Sequence, residues 1–278
     1  MDHKDSEWSN DNLFVMCLIA FAYRVHPEYP LIVAANRDEY YARPTAPAAQ
    51  WHDHPEVYAG RDMEGGGTWM GITHAGRFAA LTNHRSLAQR HASPRSRGIL
   101  VADFLSHRET LGDYAGKVAA QAHEFNGFNL LLADFSKPQR PLSYVAPHAR
   151  GHRALAPGVY GLSNATLDTP WPKLTRTVDG LKRLLGATLQ GTLPEEAIQM
   201  RLFGLMNDAS PAAETELPDT GIPREWERTL SSPKIISPSY GTRASTIALL
   251  RENGSWRYSE RSFDANGNAL NTVQLTND

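Results

Sequence analysis

Cys17 is the only cysteine of this 278-residue chain, and it follows Met16 at the start of an apolar segment. If translation or processing begins at Met16, removal of that methionine leaves a free α-amine and a thiol on one residue. Such a residue combines a nucleophile with its own base. If the preceding residues stay attached, the nitrogen of Cys17 is an amide and this chemistry is lost. A buried, inert thiol is the other interpretation, because free cysteine is among the most buried residue types.

A polar cluster at 36–39, Asn-Arg-Asp-Glu, follows a second apolar run at 31–35. We predict a strand at 17–23, a turn, and a partner strand in the second run, because both runs are apolar and turn residues separate them. A hairpin returns its far end to the start of its first strand, so the cluster would lie beside Cys17. A solvated turn is the alternative interpretation.

Arg37 and Asp38 are the two members of this cluster with the clearest chemical use. A guanidinium stabilises a nearby thiolate, and a carboxylate can orient an ammonium or hold the arginine in place. Extended strands alternate their side chains, so Arg37 and Glu39 would face one side and Asn36 and Asp38 the other. All four can line one pocket only if the strand bends or bulges.

Three further polar residues stand at or near the ends of predicted strands: Asn83, Asn164 and Arg243. Asparagine amides donate hydrogen bonds without titrating, which suits them to stabilise an oxyanion. Each asparagine is otherwise an ordinary turn residue, and Arg243 is either a surface charge or a group that faces substrate.

Two further motifs suggest ligand binding at first sight. Gly65-Gly66-Gly67 lacks the lysine and helix of a phosphate loop and indicates a turn beside the pocket. His52 and His54 lack a third ligand, so we predict no metal site. We also expect no cofactor.

The elements that must position these residues change from strands to helices and back. Apolar runs predict a hairpin at 68–73 and 77–83 with Gly76 in its turn, and later strands at 128–133, 142–145 and 159–164. Helical spacing is evident at 99–122, 171–185 and 198–205, whereas 207–224 has no clear period. Two final strands, 242–251 and 256–263, join at Asn253-Gly254. This order predicts an α+β fold with helices packed on antiparallel sheets.

Composition narrows the class of protein. The formal net charge of −2 gives no reason to expect binding to nucleic acid. No apolar run approaches the roughly 18 residues of a membrane span, so we expect no stable membrane insertion. Residues 1–15 carry four acidic side chains against one lysine, unlike a secretory signal. We therefore predict a cytoplasmic protein with an extension at 1–15, either disordered or a misassigned start, and one domain at 16–278.

Several motifs occur in a characteristic order: Met16-Cys17, Asn36-Arg37-Asp38-Glu39, Gly66-Gly67-Thr68-Trp69, Gly161-Leu162-Ser163-Asn164 and Gly241-Thr242-Arg243-Ala244-Ser245. Together they resemble the NRDE family, also called the transport and Golgi organisation protein 2 family. The resemblance runs from Met16 nearly to the end of the chain. More distantly, the order is similar to the choloylglycine hydrolase and penicillin V acylase group of N-terminal nucleophile hydrolases.

The distant resemblance implies a four-layer αββα sandwich and a role for each matching residue. Cys17 would be the nucleophile and its α-amine the base, with Arg37 and Asp38 near both, Asn83 and Asn164 at the oxyanion, and Arg243 near substrate. We expect substrate contacts from Asn36, Glu39, Trp69 and Thr242.

The leading functional hypothesis is hydrolysis of a non-peptide C–N amide, or a related acyl bond, in a small hydrophobic metabolite. The competing hypothesis, which the family resemblance suggests, is a non-catalytic protein that binds haem or a lipid. A structural or interaction protein without a ligand is the third.

Overall fold

The computed structural model describes residues 17–85, 95–147, 151–191 and 193–277, so Met16 and the extension at 1–15 lie outside the described residues. The strands are β1 (Cys17–Tyr23), β2 (Leu31–Tyr40), β3 (Thr45–Gln50), β4 (Val57–Asp62), β5 (Met70–Thr73), β6 (Arg77–Asn83), β7 (Phe128–Asp134), β8 (Leu142–Ala146), β9 (Gly151–Ala154), β10 (Gly158–Leu162), β11 (Tyr240–Leu250), β12 (Trp256–Phe263) and β13 (Ala269–Thr276). The helices are α1 (Gly98–Ser106), α2 (Leu111–Ala120), α3 (Pro172–Gln190), α4 (Glu195–Met206) and α5 (Arg224–Thr229).

The strands form two antiparallel sheets. The first has the order β10-β1-β2-β11-β12-β13, and the second runs β3-β4-β5-β6-β7-β8-β9. The predicted hairpin at β5 and β6 is confirmed, and its turn residue Gly76 has a φ of 85°. That backbone angle favours glycine, which has no Cβ to clash.

Apolar side chains form three hydrophobic cores, one between each pair of adjacent layers. The core between the sheets contains Ile19, Phe21 and Val33 from the first sheet. The other face of the same strands, including Leu18 and Ile32, packs against α3 and α4. On the second sheet, the outer face packs against α1 and α2. The predicted αββα sandwich is therefore confirmed.

β2 is longer than the sequence pattern indicates. We expected the strand to end before the polar cluster, but β2 includes all four residues Asn36–Glu39. The cluster stays extended because β2 pairs with a strand on each side: Cys17 of β1 lies opposite Arg37, and Gly241 of β11 lies opposite Glu39. The solvated-turn interpretation was wrong, since the whole cluster is buried.

No helix in the described part of the chain combines the length and apolar character that crossing a membrane requires.

Candidate functional site

A cavity of about 290 Å³ opens beside Cys17, between the two sheets and the start of α1. Its charged wall consists of Arg37, Glu39, Arg43, Asp62, Glu64, Arg95 and Arg97. Trp69, Leu81, Asn83 and Asn126 complete much of the remaining wall. The single cysteine and a dense group of charges thus share one cavity.

Cys17 is held at this cavity through its backbone. Its N–H donates to Asn164 Oδ1 at 3.2 Å, and its carbonyl accepts from Ser163 Oγ at 3.0 Å. Both partners directly follow β10, which is the other neighbour of β1. The end of β10 therefore fixes the nitrogen of the residue whose thiol meets the cavity.

Cys17 is only 7% exposed. Burial, followed by the negative charge of Asp38, raises the pKa of Cys17 to about 12, although Arg37 opposes this shift. The thiol is consequently protonated at neutral pH in the full chain. A reactive thiolate needs an additional positive charge or a base close to the sulfur.

Arg37 is fixed from three directions. Its guanidinium lies 4.3 Å from the centre of the Trp69 ring, and Nη1 donates to Thr45 Oγ1 at 3.0 Å. Nη2 lies 3.5 Å from Glu39 Oε2. Burial raises the pKa of Glu39, whereas the charge of Arg37 opposes that rise. The predicted residues Arg37, Glu39 and Trp69 therefore line the same cavity as Cys17.

The two predicted oxyanion donors occupy different positions. Asn83 lines the cavity, whereas Asn164 lies behind its wall. Asn164 Nδ2 donates to the carbonyl of Asn83 at 2.8 Å while its Oδ1 accepts from the nitrogen of Cys17. Asn164 thereby ties the first strand of one sheet to the end of β6 in the other, and Asn83 is the better placed of the two to meet a substrate.

Asn36, Asp38 and Thr242 lie off the cavity wall, on the helix side of the first sheet. The side chain of Asn36 bonds to the carbonyls of Met206 and Pro233. Asp38 Oδ1 accepts from Thr242 Oγ1 at 2.6 Å. Because side chains alternate along a strand, the residues that flank Arg37 in sequence must face away from it. Direct substrate contact, which we expected of Asn36 and Thr242, does not fit this placement.

Arg243 is also displaced from the Cys17 cavity. The pairing of β11 with β2 shifts between Thr242 and Ala244, which leaves Arg243 as the extra residue of a bulge. Its Nη1 donates to the carbonyls of Tyr40, Tyr41 and Arg43. Arg243 instead lines a neighbouring cavity of about 240 Å³, which shares Trp69 with the first.

Lys173 is a buried charge that sequence reasoning missed. It lies in the first turn of α3, is 1% exposed, and its Nζ has no hydrogen-bond partner among the described residues. Burial lowers the pKa of Lys173 to about 8, and the charge of Asp38 opposes this shift. Burial likewise raises the pKa of Asp38 to about 6 against the opposing charge of Lys173. No local pattern distinguishes Lys173 from a surface lysine at a helix start.

The glycine run at 65–67 forms a tight turn at the cavity edge. Gly66 has a φ of 72°, and Asp62 Oδ1 accepts the backbone N–H groups of Glu64 and Gly65. The predicted turn beside the pocket agrees with this placement. Within the described residues, no three His, Cys, Asp or Glu side chains are grouped as they would be around a metal ion.

Gly67 permits a close approach between this turn and the start of α1. A Cβ on Gly67 would lie 2.7 Å from the nitrogen of Ile99 and would overlap the backbone of Gly98. We expect Gly67→Ala to reduce the free energy of unfolding by about 1–3 kcal/mol, as overpacked sites do. Urea unfolding measures this loss. The control Gly116→Ala, in open space on α2, should gain about 1 kcal/mol; equal effects would contradict the close approach.

Glu260 lies on the wall of the neighbouring cavity. Its buried carboxyl should make the free energy of unfolding depend on pH. Burial raises its pKa from 4.5 to about 7, against hydrogen bonds from Ala48 and Thr246. A carboxyl whose pKa is raised by folding contributes stability below its unfolded pKa and loses that contribution as the pH rises through the folded value. We expect the free energy of unfolding to fall by about 3 kcal/mol from this source between pH 5 and 8.

Glu260→Gln should remove that part of the decline, because glutamine keeps an oxygen for Ala48 but does not ionise. Urea unfolding at pH 5 and pH 8 measures the change. Glu225→Gln, at an exposed position on α5, is the control and should leave the slope unaltered. A wild-type slope in the Glu260 variant would show that this carboxyl does not titrate with folding.

Comparison with known proteins gives consistent matches over most of the chain. The sequence profile described as "Transport and Golgi organisation 2" matches residues 16–265. The "Transport and Golgi organization protein 2 homolog" of Bos taurus is 40% identical over 266 residues, which cover 89% of this chain and 93% of that protein. The human homolog is 37% identical over 265 residues, with the same coverage.

Among solved structures, a Caenorhabditis elegans protein described as an "N-acylethanolamine-hydrolyzing acid amidase (NAAA) ortholog" matches with a TM-score of 0.40 and 12% identity. The match covers 83% of this chain and 92% of that protein.

Proposed function

This chain belongs to the Transport and Golgi organisation 2 family, and we propose that it hydrolyses an amide or related acyl bond of a small molecule with Cys17 as nucleophile. One observation carries the proposal: Cys17 lines an open cavity of about 290 Å³ while Asn164 holds its nitrogen. Nucleophile and prospective base thus belong to one fixed residue. The proposal requires that the bond between Met16 and Cys17 be absent from the active protein.

The first step moves one proton and forms one bond. A free α-amine of Cys17 has an ordinary pKa of about 7.7–8.0, so it can take the thiol proton near neutral pH. The resulting α-ammonium stabilises the thiolate, which Arg37 also favours. The sulfur then attacks the carbonyl carbon, and the carbonyl oxygen gains the negative charge, which the Asn83 amide stabilises.

The next steps restore the thiol. The C–N bond breaks as the α-ammonium returns its proton to the leaving nitrogen, which leaves a thioester on Cys17. A water molecule, deprotonated by the amine, attacks this thioester. The C–S bond breaks, the acid departs, and the thiol recovers its proton.

Trapping of an acyl-enzyme tests the proposal. Protein purified from expression of its own gene is first weighed intact to establish whether its chain begins at Cys17. It is then incubated with a panel of amides and thioesters and weighed again. We expect an acyl mass increment on wild type and none on Cys17→Ala. A chain still blocked before Cys17, or release of product by Cys17→Ala at the wild-type rate, would refute this mechanism.

A non-catalytic binding protein for haem or a lipid is the second candidate. The raised pKa of the Cys17 thiol in the full chain favours it, because a protonated thiol is a poor nucleophile. Haem titration and analysis of co-purified lipids distinguish the two. Stoichiometric binding that survives Cys17→Ala, without turnover of the panel, would support the binding protein.

A further inference from the structure

Most charged residues on the Cys17 cavity wall form ion pairs with one another or with a neighbour. Arg37 pairs with Glu39, and Arg43 lies 2.9 Å from Asp62 and 3.1 Å from Glu64. The remaining two, Arg95 and Arg97, begin the described segment that leads into α1. Arg95 pairs with Glu124 at 2.7 Å. These pairs account for six of the seven charges.

Arg97 is the exception. Its Nη1 donates to the carbonyl of Gly127 at 3.1 Å, but its guanidinium has no carboxylate partner within the described part of the chain. Burial lowers the pKa of Arg97 to about 10, while the nearby Cys17 and Glu39 raise it. A half-buried guanidinium without a counter-ion is costly to maintain, because desolvation is not offset by pairing.

The start of α1 adds to the positive potential at the same wall. Gly98, the first residue of α1, lines the cavity, and the first turn of this helix contains no acidic side chain. Backbone N–H groups at a helix start favour negative charge. The N–H groups of Ile99 and Leu100 already donate to the carbonyls of Ser96 and Arg97, so the guanidinium of Arg97 is the group left to meet an anion close to Cys17.

We propose that Arg97 binds a carboxylate of the substrate, so that the compound acylating Cys17 is an organic acid as well as an amide or acyl derivative. Arg97 has no carboxylate partner of its own among the described residues, and its planar guanidinium suits a carboxylate geometrically. A doubly charged phosphate fits less well, because Glu39, Asp62 and Glu64 share the wall. A wholly hydrophobic metabolite, which the sequence suggested, leaves the charge of Arg97 without a counter-ion.

The inference rests on the proposed function in one respect, namely that the Cys17 cavity is where substrate binds. The experiment that tests it measures alkylation of the Cys17 thiol and requires no turnover of a substrate. Iodoacetate and iodoacetamide alkylate the same sulfur by the same displacement of iodide, but only iodoacetate carries a carboxylate. Both rates depend equally on the fraction of thiolate, so their ratio cancels any change in the pKa of Cys17. Because the chain has one cysteine, the mass increment that Cys17→Ala fails to acquire reports modification of the thiol.

We expect the ratio of the iodoacetate rate to the iodoacetamide rate in wild type to exceed that of free cysteine by about tenfold or more, as charged sites do for oppositely charged reagents. Arg97→Gln should return the ratio close to the free value, and Arg97→Lys should keep part of it. Arg183→Gln, at an exposed position on α3, removes the same charge from the molecule and should retain the wild-type ratio.

Two results would overturn the inference. One is a wild-type ratio equal to that of free cysteine, which requires no variant to fold. The other is an unchanged ratio in Arg97→Gln. If instead the ratio behaves as expected but no amide or thioester is turned over, the carboxylate site stands and hydrolysis fails.

Discussion

A chain that begins at Cys17 should react with a thioester about 10²-fold faster at pH 8 than the full 278-residue chain. In the full chain the thiol has a pKa of about 12, so roughly one molecule in ten thousand is a thiolate at that pH. A free α-amine supplies both a base and, once protonated, a positive charge beside the sulfur. General base catalysis of this kind contributes about 10² to 10⁴ in rate.

Stopped-flow detection of the released thiol measures this difference, and intact mass confirms the adduct on Cys17. A chain with one additional glycine before Cys17 is the matched control. It lacks residues 1–16 but places its amine one residue away from the thiol, so it should react as slowly as the full chain. Equal rates for the Cys17 and glycine-extended chains would show that removal of the extension, rather than the amine, determines reactivity.

The strands that build the site were predictable because they are buried on both faces. β1 and β2 contribute apolar residues to the core between the sheets and to the core under α3 and α4. Their sequences therefore read as continuous apolar runs.

The sequence pattern does not indicate β3, β9 and β13, and all three are edge strands that are largely exposed. An exposed strand needs no apolar pattern, so nothing local reveals it. The interior strand β4 was also missed, because only Val57, Ala59 and Gly60 of its six residues are buried.

The candidate site was predictable only in part, for a related reason. The hairpin register follows from the lengths of two apolar runs, and that register places Arg37 opposite Cys17. The bulge that moves Arg243 away from this cavity depends on the pairing of β11 with β2. These strands are far apart in sequence, since Arg243 bonds to Arg43, 200 residues earlier in the chain. Arg97 and Lys173 are candidate functional residues because burial shifts their pKa values. Their burial results from tertiary packing, which local sequence does not show.

The buried charges Asp38 and Lys173 should be strongly coupled in stability. Asp38 is 0% and Lys173 1% exposed, and Asp38 Oδ2 and Lys173 Nζ each lack a hydrogen-bond partner among the described residues. Removing one of two buried opposite charges leaves the other uncompensated, which costs about 3–5 kcal/mol. We expect Lys173→Met to lower the free energy of unfolding by this amount at pH 7, where both groups are mostly ionised.

The cost should shrink at pH 5. The charge of Lys173 holds the pKa of Asp38 down to about 6, so without Lys173 this pKa rises further. A carboxyl with a raised folded pKa is least destabilising when protonated, and at pH 5 Asp38 is already largely neutral. Urea unfolding at both pH values measures the difference. The same loss at pH 5 and pH 7 would assign it to packing of the lysine stem instead.

A double-mutant cycle separates charge from packing at this site. Asp38→Asn keeps an oxygen to accept from Thr242 Oγ1 but removes the carboxylate charge, and it leaves Lys173 facing the repulsive charge of Arg85. The double variant Asp38→Asn with Lys173→Met has no buried charge left at either position. We therefore expect it to be more stable at pH 7 than Lys173→Met alone, by about 2 kcal/mol, within the range of coupling between contacting charges. Additive losses would mean that the two groups do not sense each other, and that β2 and α3 are joined behind Cys17 by apolar packing alone.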